Sequence, residues 1–251
     1  MTRSLRIIDT GLNTARRNTA LSAALLDSCG NDQRADILRF YRFPNSVLLG
    51  ASQPAAGAMS LDRCRHAHIE AARRITGGGA VYMCPSMLAW DFVTQRSASN
   101  ADLSEAIGKS IAGGLQRLHI AVAFTPPNSL TVDGRKISGA ATAATQLAFL
   151  HQGTLLLRDE LAAMAQALGI PIDVLRPHVT SVEETCSNPP AIEQIRQAIG
   201  DNLARAFGLS QVTSAISCHE QAVADREFAK ELGLDTFVSG DDWRLPAGVS
   251  A

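Results

Sequence analysis

Between Arg73 and Met83 the chain reads RRITGGGAVYM: two arginines, three consecutive glycines, then an immediate return to apolar residues. Glycine loses more backbone freedom on folding than any other residue, so three in a row are costly to order. Such a tract between apolar runs is either a tight turn or a place where something approaches the main chain closely. It fits neither common phosphate cradle. The chain has no G-x-x-x-x-G-K-[ST], and GGGA lacks the spacing of G-x-G-x-x-G. A second segment, GRKISGAATAA from Gly134, sets Lys136 on a strand beside a run of small residues. That strand also suits close backbone approach, which makes Lys136 an anion-binding candidate.

Strand and helix periods are interleaved around these segments. Leu5–Ile8, ADILRFYRF (35–43), SVLLG (46–50), Ile69–Ile75 and Leu88–Val93 read as strands. Ala15–Cys29 reads as a helix with Leu21, Ala24, Leu25 and Ser28 on one face and Gly30 as its stop. Further helices are expected over Asp102–His119, over Glu160–Leu168 with Gly169 as stop, over Ala191–Phe207 and over His219–Leu232. Asp133-Gly134 between β-compatible runs predicts a hairpin, and Gln146–Leu157 a further strand. Ser181 with Glu184, and Ser217 with Glu220, predict capping boxes. Without regular βαβ spacing, the fold class expected is α+β, a mixed or largely antiparallel sheet flanked by helices. One domain is expected over 1–243, with a small helical portion from about 190 and a frayed tail at 244–251.

Composition narrows the function. A formal net charge of -1 over 251 residues argues against nucleic-acid binding, which needs clustered cations. No apolar run reaches the roughly 18 residues of a membrane helix, and MTRSLRIIDTGLNT has no apolar leader core. Cys29, Cys64, Cys84, Cys186 and Cys218 are scattered and odd in number, as expected of reduced thiols in a cytoplasmic protein. Cys64-x-His66-x-His68 lacks the second ligand cluster that structural zinc needs.

A third segment completes a pattern. RRITGGGAVY, DGRKISGAA, LHQGTLLL and VTSVEE, in this order, resemble the lipoate-protein ligase family, within the broader biotin and lipoate ligase superfamily. RNTALSAALL, SVLLGASQ and FAKELGLDTFVSGDDW extend the resemblance over Ile8 to Trp243. The resemblance implies a biotin/lipoate ligase catalytic-domain fold. It also implies a reaction: ATP activates the carboxylate of lipoate to lipoyl-AMP, and the acyl group passes to a lysine of a lipoyl-carrier protein. Lys136 would supply the cation at the reacting phosphate, with Mg2+ on the phosphates. The family's pocket maps onto Arg73, Arg74, Gly77, Gly78, Gly79, Ala80, Ser138, Gly139 and Ala140, with His151, Gly153 and Thr154 on the strand beside it. No protein nucleophile or metal-ligating side chain is required. The glycine tract then reads as a ligand loop, though sequence does not say which arginine faces the pocket.

The chain departs from the family in two places. Where members usually read His-Asp, one residue, then Gly-Asn, this chain has Met83, Cys84, Pro85, Ser86 and Met87. Asp91 stands where a small residue is usual, and is expected to face solvent or to pair with Arg73 or Arg74. The accessory domain that many members carry is expected to be missing or supplied by a separate subunit. Two alternatives stay open. One is ATP-independent octanoyl or lipoyl transfer, which needs a cysteine thiolate that FTPPNSLTV lacks, leaving Cys84 and Cys186. The other is a non-catalytic lipoate-binding partner subunit.

Overall fold

A computed structural model describes residues 3–31, 35–55, 61–240 and 248–250. In chain order the first half comprises β1 (Ser4–Leu12), α1 (Ala15–Asn31), β2 (Ala35–Arg42), β3 (Ser46–Leu49), α2 (Leu61–His66), β4 (Glu70–Arg73), β5 (Val81–Met83), β6 (Met87–Gln95) and α3 (Asn100–Gln116). The second half comprises β7 (Ala123–Thr125), β8 (Ser129–Val132), β9 (Arg135–Ala144), β10 (Ala148–Leu156), α4 (Leu161–Leu168), α5 (Ile172–Leu175) and α6 (Val182–Thr185). It ends with α7 (Ile192–Phe207), β11 (Ser210–Thr213), α8 (Cys218–Glu227), a π-helical turn (Phe228–Leu232) and α9 (Asp235–Ser239).

The strands form an eight-stranded sheet in the order β11-β1-β2-β6-β10-β9-β8-β7 and a three-stranded sheet in the order β4-β3-β5. The large sheet is mixed. β1 runs parallel to β2 and β11, and its other pairs are antiparallel. The α+β expectation therefore holds. Its parallel edge has a physical cause: α1 carries the chain from β1 back to the start of β2, and such a crossover delivers a parallel neighbour.

Strand alternation divides the core between the two faces of the large sheet. Leu38, Phe40, Trp90, Phe92 and Phe149 face α3 and α7, where they meet Ile107, Ile111, Leu115, Ile199 and Leu203. Ile37, Val93 and Leu150 face the other way onto Leu21, Ala24 and Leu25 of α1. Farther along this second face α1 ends, and Tyr41, Met87 and Leu156 instead pack with the small sheet and α4. The gap between those layers is where the site lies.

Local signals were of uneven value. Asp133 (φ 48°) and Gly134 (φ 77°) make the expected hairpin, both left-handed as a two-residue turn requires. Gly169 ends α4 in the left-handed conformation. Ser217 and Glu220 complete a reciprocal capping box. Ser181 caps Glu184 only one way, because the Glu184 carboxylate is taken by Arg135 (2.6 Å) and Thr180 (2.9 Å). Gly30 is not a stop: α1 runs through it to Asn31. The tail is not simply frayed either. Ser250 exchanges two main-chain hydrogen bonds with Ala144, and Val249 packs on the α1 cluster. Trp243 and the rest of 241–247 lie outside the described residues.

Candidate active site

Four adjacent strands, β2, β6, β10 and β9, make the floor of a cavity of about 390 Å³. Their registers set side chains in rows, with Tyr41, Ala89, Thr154 and Gly139 side by side in one. The next row, two residues along the strands or about 7 Å away, holds Arg39, Asp91, Gln152 and Ala141. In the opposite direction follow Met87 and Leu156. The roof comprises Gly77–Tyr82 from the glycine segment, with Met164 and Leu168 of α4.

Lys136 stands at the lip. Strict alternation from Gly139 would turn it to the opposite face. A β-bulge intervenes: Leu130 pairs with Ser138 and Thr131 with Lys136, which leaves Ile137 extra. The bulge re-aims Lys136 into the cavity, a use bulges often serve. The side chain lies along Gly139, where an added Cβ would come within 2.8 Å of Cε and 2.9 Å of Nζ. The main chain of Lys136 is pinned by VTSVEE and its neighbour: its N–H donates to the His178 carbonyl (2.7 Å) and its carbonyl accepts from Thr180 N–H (2.9 Å). The residue is exposed, and its ammonium has no acidic partner among the described residues. Desolvation by the surrounding protein pulls its pKa below the ordinary lysine value.

The two arginines divide the work. Arg74 faces the cavity, donating to the carbonyls of Gly77 (2.6 Å), Gly79 (2.9 Å) and Leu48 (3.1 Å). Burial lowers its pKa to about 10. Gly78 arches over this guanidinium with φ 93°, and its carbonyl sits where a Cβ on Gly50 would be. Two glycines far apart in sequence are thus needed at one close approach. Arg73, expected in the pocket, points away. It is 1% exposed, burial lowers its pKa, and it donates to the carbonyls of Phe237 (3.0 Å), Val238 (2.9 Å), Gly50 (2.9 Å) and Gln53 (2.6 Å). It ties the glycine segment to α9 rather than to a ligand.

Among the other expected residues, Gly77, Gly78, Gly79, Ala80, Ser138, Gly139, Ala140 and Thr154 border the cavity. His151 and Gly153 do not, because a strand sends alternate residues to opposite faces. Both look toward α3. A side chain on Gly153 would run into the Trp90 indole, and His151 lies with Trp90, Ile111 and Phe124. Neither ring nitrogen of His151 finds a hydrogen-bond partner among the described residues, and burial lowers its pKa to about 4.

The altered loop is apolar where it meets the cavity. Met83 and Met87 line it, while Cys84 and Ser86 do not. Cys84 is 1% exposed, burial raises its pKa, and its Sγ lies 3.1 Å from Ser86 Oγ, which donates to Glu160 (2.6 Å). Cys186 packs against the α3 side of the core. Neither thiol borders the cavity. Among the described residues no three His, Cys, Asp or Glu side chains converge as a metal site.

Sequence reasoning missed Tyr41, Gln152 and Arg39, and misplaced Asp91. Asp91 is fully buried and pairs with Arg39 (3.4 Å), Tyr41 (2.9 Å), Ser22 (2.8 Å) and Gln152 (3.1 Å), not with solvent, Arg73 or Arg74. Counting back two from Thr154 along a strand would have found Gln152.

Residues 14–204 match the family model described as the lipoyl protein ligase A/B catalytic domain. Over 230 residues the chain is 27% identical to a lipoate-protein ligase A subunit 1 of Thermoplasma acidophilum, covering 83% of this chain and 84% of that one. It is also 27% identical over 181 residues to lipoate–protein ligase 1 of Staphylococcus aureus, covering 69% of this chain but only 54% of that one. The chain thus spans about half the length of this second relative. An octanoyltransferase LipM of Symbiobacterium thermophilum is 23% identical over 266 residues, covering 92% and 97%. Two solved structures share the fold. A bi-partite lipoate protein ligase from T. acidophilum gives a TM-score of 0.86 at 24% identity, over 96% of this chain and 97% of that one. A lipoate-protein ligase A bound with ATP gives 0.85 at 24% identity, over 96% and 99%.

Proposed function

Because the chain belongs to the lipoyl protein ligase A/B catalytic-domain family, we propose that it is an ATP-dependent lipoate–protein ligase of the cytoplasm. It activates lipoate as lipoyl-AMP and passes the lipoyl group to a lysine of a lipoyl-carrier protein. The observation that carries this reading is a mostly apolar cavity, roofed by a glycine loop, with a lysine at its lip that meets no acid among the described residues.

The residues present suit the substrates. Met83, Met87 and Leu156 offer apolar wall to an acyl chain. Gly77–Gly79, Gly139 and Thr154 leave the main chain open to close approach, as a thin acyl chain or an adenylate requires. Lys136 supplies the cation needed where a carboxylate meets a phosphate, and among the described residues no acid lines the cavity to compete for it. Magnesium would travel on the triphosphate and neutralise charge there. The ligase is favoured over thiol-dependent transfer because neither Cys84 nor Cys186 reaches the cavity. Similarity to LipM makes ATP-independent octanoyl transfer the second reading.

A separate accessory polypeptide completes the proposal. The T. acidophilum structure is described as bi-partite and together with its E2 lipoyl domain. The test incubates the purified chain with lipoate, Mg-ATP and an unmodified lipoyl domain, with Lys136→Ala in parallel, and weighs the acceptor. ATP-dependent lipoylation that vanishes in the variant supports the ligase. Modification from an octanoyl-carrier protein without ATP supports the transferase instead. Lipoate binding without acyl-AMP identifies a non-catalytic binding subunit.

A further inference from the structure

The row that closes the far end of the cavity is ionic at its back and spent at its front. Tyr41 has one O–H, and it goes to Asp91 Oδ1 (2.9 Å). The Tyr41 oxygen accepts from Gln152 Nε2 (2.8 Å), whose other contacts are Asp91 Oδ1 (3.1 Å) and Ser22 Oγ (3.3 Å). Gln152 Oε1 accepts from Thr76 (2.9 Å). Asp91 Oδ2 accepts from Ser22 of α1 (2.8 Å) and lies 3.4 Å from Arg39 Nε. The Arg39 guanidinium stacks 3.7 Å from the Tyr41 ring centroid and reaches the Asn18 carbonyl at 3.3 Å. Arg39 and Asp91 are both fully buried, yet only Tyr41 and Gln152 border the cavity.

A buried ion pair is weak evidence for stability, since well-packed apolar residues often serve as well. Its consequence here is what it does to its neighbours. The donors of Tyr41 and Gln152 are turned backward onto one carboxylate. What remains toward the ligand is ring, methylene and satisfied amide.

We propose that the Arg39–Asp91 pair is a positioning element that sets acyl specificity. By engaging the hydrogen-bonding groups of Tyr41 and Gln152 it makes the far wall an apolar stop. The site then takes a medium-chain carboxylic acid whose far end is alkyl or disulfide, and disfavours one ending in a hydroxyl. The inference rests on the acyl-ligase reading above. A terminal hydroxyl would lose its water and find neither the Tyr41 O–H nor the Gln152 N–H groups free to donate to it. Apolar pockets discriminate against an added hydroxyl by up to about 100-fold, so a preference of about 10–100-fold is expected.

The experiment measures calorimetric affinity of octanoate and of 8-hydroxyoctanoate for the full chain and for the double variant Arg39→Met/Asp91→Leu. The variant removes both charges at similar volume and releases the Tyr41 and Gln152 donors. The wild type should prefer octanoate by about 10–100-fold, and the variant should lose most of that preference with its thermal unfolding intact. A purely structural role would shift both affinities together and leave their ratio alone, which overturns the proposal. Should the double variant not fold, Arg39→Leu/Asp91→Ala replaces it: it too removes both charges and leaves the Tyr41 and Gln152 donors without their carboxylate, so the ratio must still fall. A wild type that binds both acids equally overturns this inference alone. A wild type that binds neither sinks the ligase reading and this one together.

Discussion

At one end of the cavity Lys136 carries a charge that meets no acid among the described residues; at the other, Arg39 carries one locked onto Asp91. The first sits on a bulged strand next to a glycine, exposed, with only its main chain held. The second sits mid-strand, fully buried, stacked on a tyrosine. A free cation in a partly desolvated place attracts an anionic ligand. A paired one in a dry place shapes its surroundings and attracts nothing. On the ligase reading proposed above, the cavity offers a cation to the head of a substrate and an uncharged wall to its tail.

Breaking the buried end should have the largest effect. Arg39→Met alone leaves Asp91 buried without its counter-charge and is expected to lose about 3–5 kcal/mol in denaturant unfolding. Replacing both partners should lose far less, and a double-mutant cycle reads the difference. A double-variant loss equal to the sum of the Arg39→Met and Asp91→Leu losses would mean that the pair is not coupled. Breaking the exposed end should leave stability within about 0.5 kcal/mol of wild type. Lys136→Ala should nonetheless lower kcat/KM for acyl-adenylate formation by about 10²–10³-fold, as loss of a charge-stabilising donor does. Pyrophosphate release measures it. A Lys136→Ala enzyme of undiminished rate would remove the head-group role.

The contrast also explains what the sequence disclosed. Lys136 and the glycines could be found because their signals are local: a DG turn, a run of small residues, three consecutive glycines. The hairpin, the α4 stop and the mixed α+β class follow from the same short-range chemistry. Arg39 and Asp91 belong to strands that meet only in the folded sheet, and nothing near either residue announces the other. Read alone, each suggests a solvent-facing strand position. Arg73 misled for a related reason. Neighbours on a strand face opposite ways, and only the tertiary structure shows that the carbonyls of α9 await one of them. His151 and Gly153 were misassigned although alternation from Thr154 was enough to separate them from Gln152.

The glycine loop sharpens the comparison at smaller scale, because its glycines are required for different reasons. Gly50→Ala would drive a Cβ into the Gly78 carbonyl and should lose about 1–3 kcal/mol, through strain in a well-packed spot. Gly79→Ala meets nothing within 4 Å, so its unfolding should stay within about 0.5 kcal/mol of wild type. Its affinity for lipoate should fall if ligand lies against that stretch. Thermal melts with and without lipoate separate the two. A Gly79→Ala protein as unstable as Gly50→Ala would show that the loop is packed throughout rather than open on the ligand side.

The smallest expected effect lies on the opposite face of the same strand. His151 is surrounded by Trp90, Ile111, Phe124 and Ser138, none of which titrates in the acid range, and burial lowers its pKa from 6.5 to about 4. The folded state therefore keeps the ring neutral, while the unfolded chain takes up a proton below pH 6.5. The sign follows from linkage: between about pH 6.5 and 4 the unfolded state binds more protons, so stability is full above that window and declines as pH falls through it. One pH unit into the window the loss is about 1 kcal/mol, or about 2–4 °C in Tm for a domain of this size. Glu184 and Glu220, whose carboxyls are held below their ordinary values by Arg135 and Arg6 respectively, lose stability in the same direction at lower pH. The difference between wild type and His151→Leu isolates the histidine. Melts from pH 7.5 to 5 should run closer to parallel with the axis in the variant than in the wild type. If the two profiles coincide, the ring is not held neutral by its surroundings, and this face of β10 has a polar partner that the packing around Trp90 does not account for.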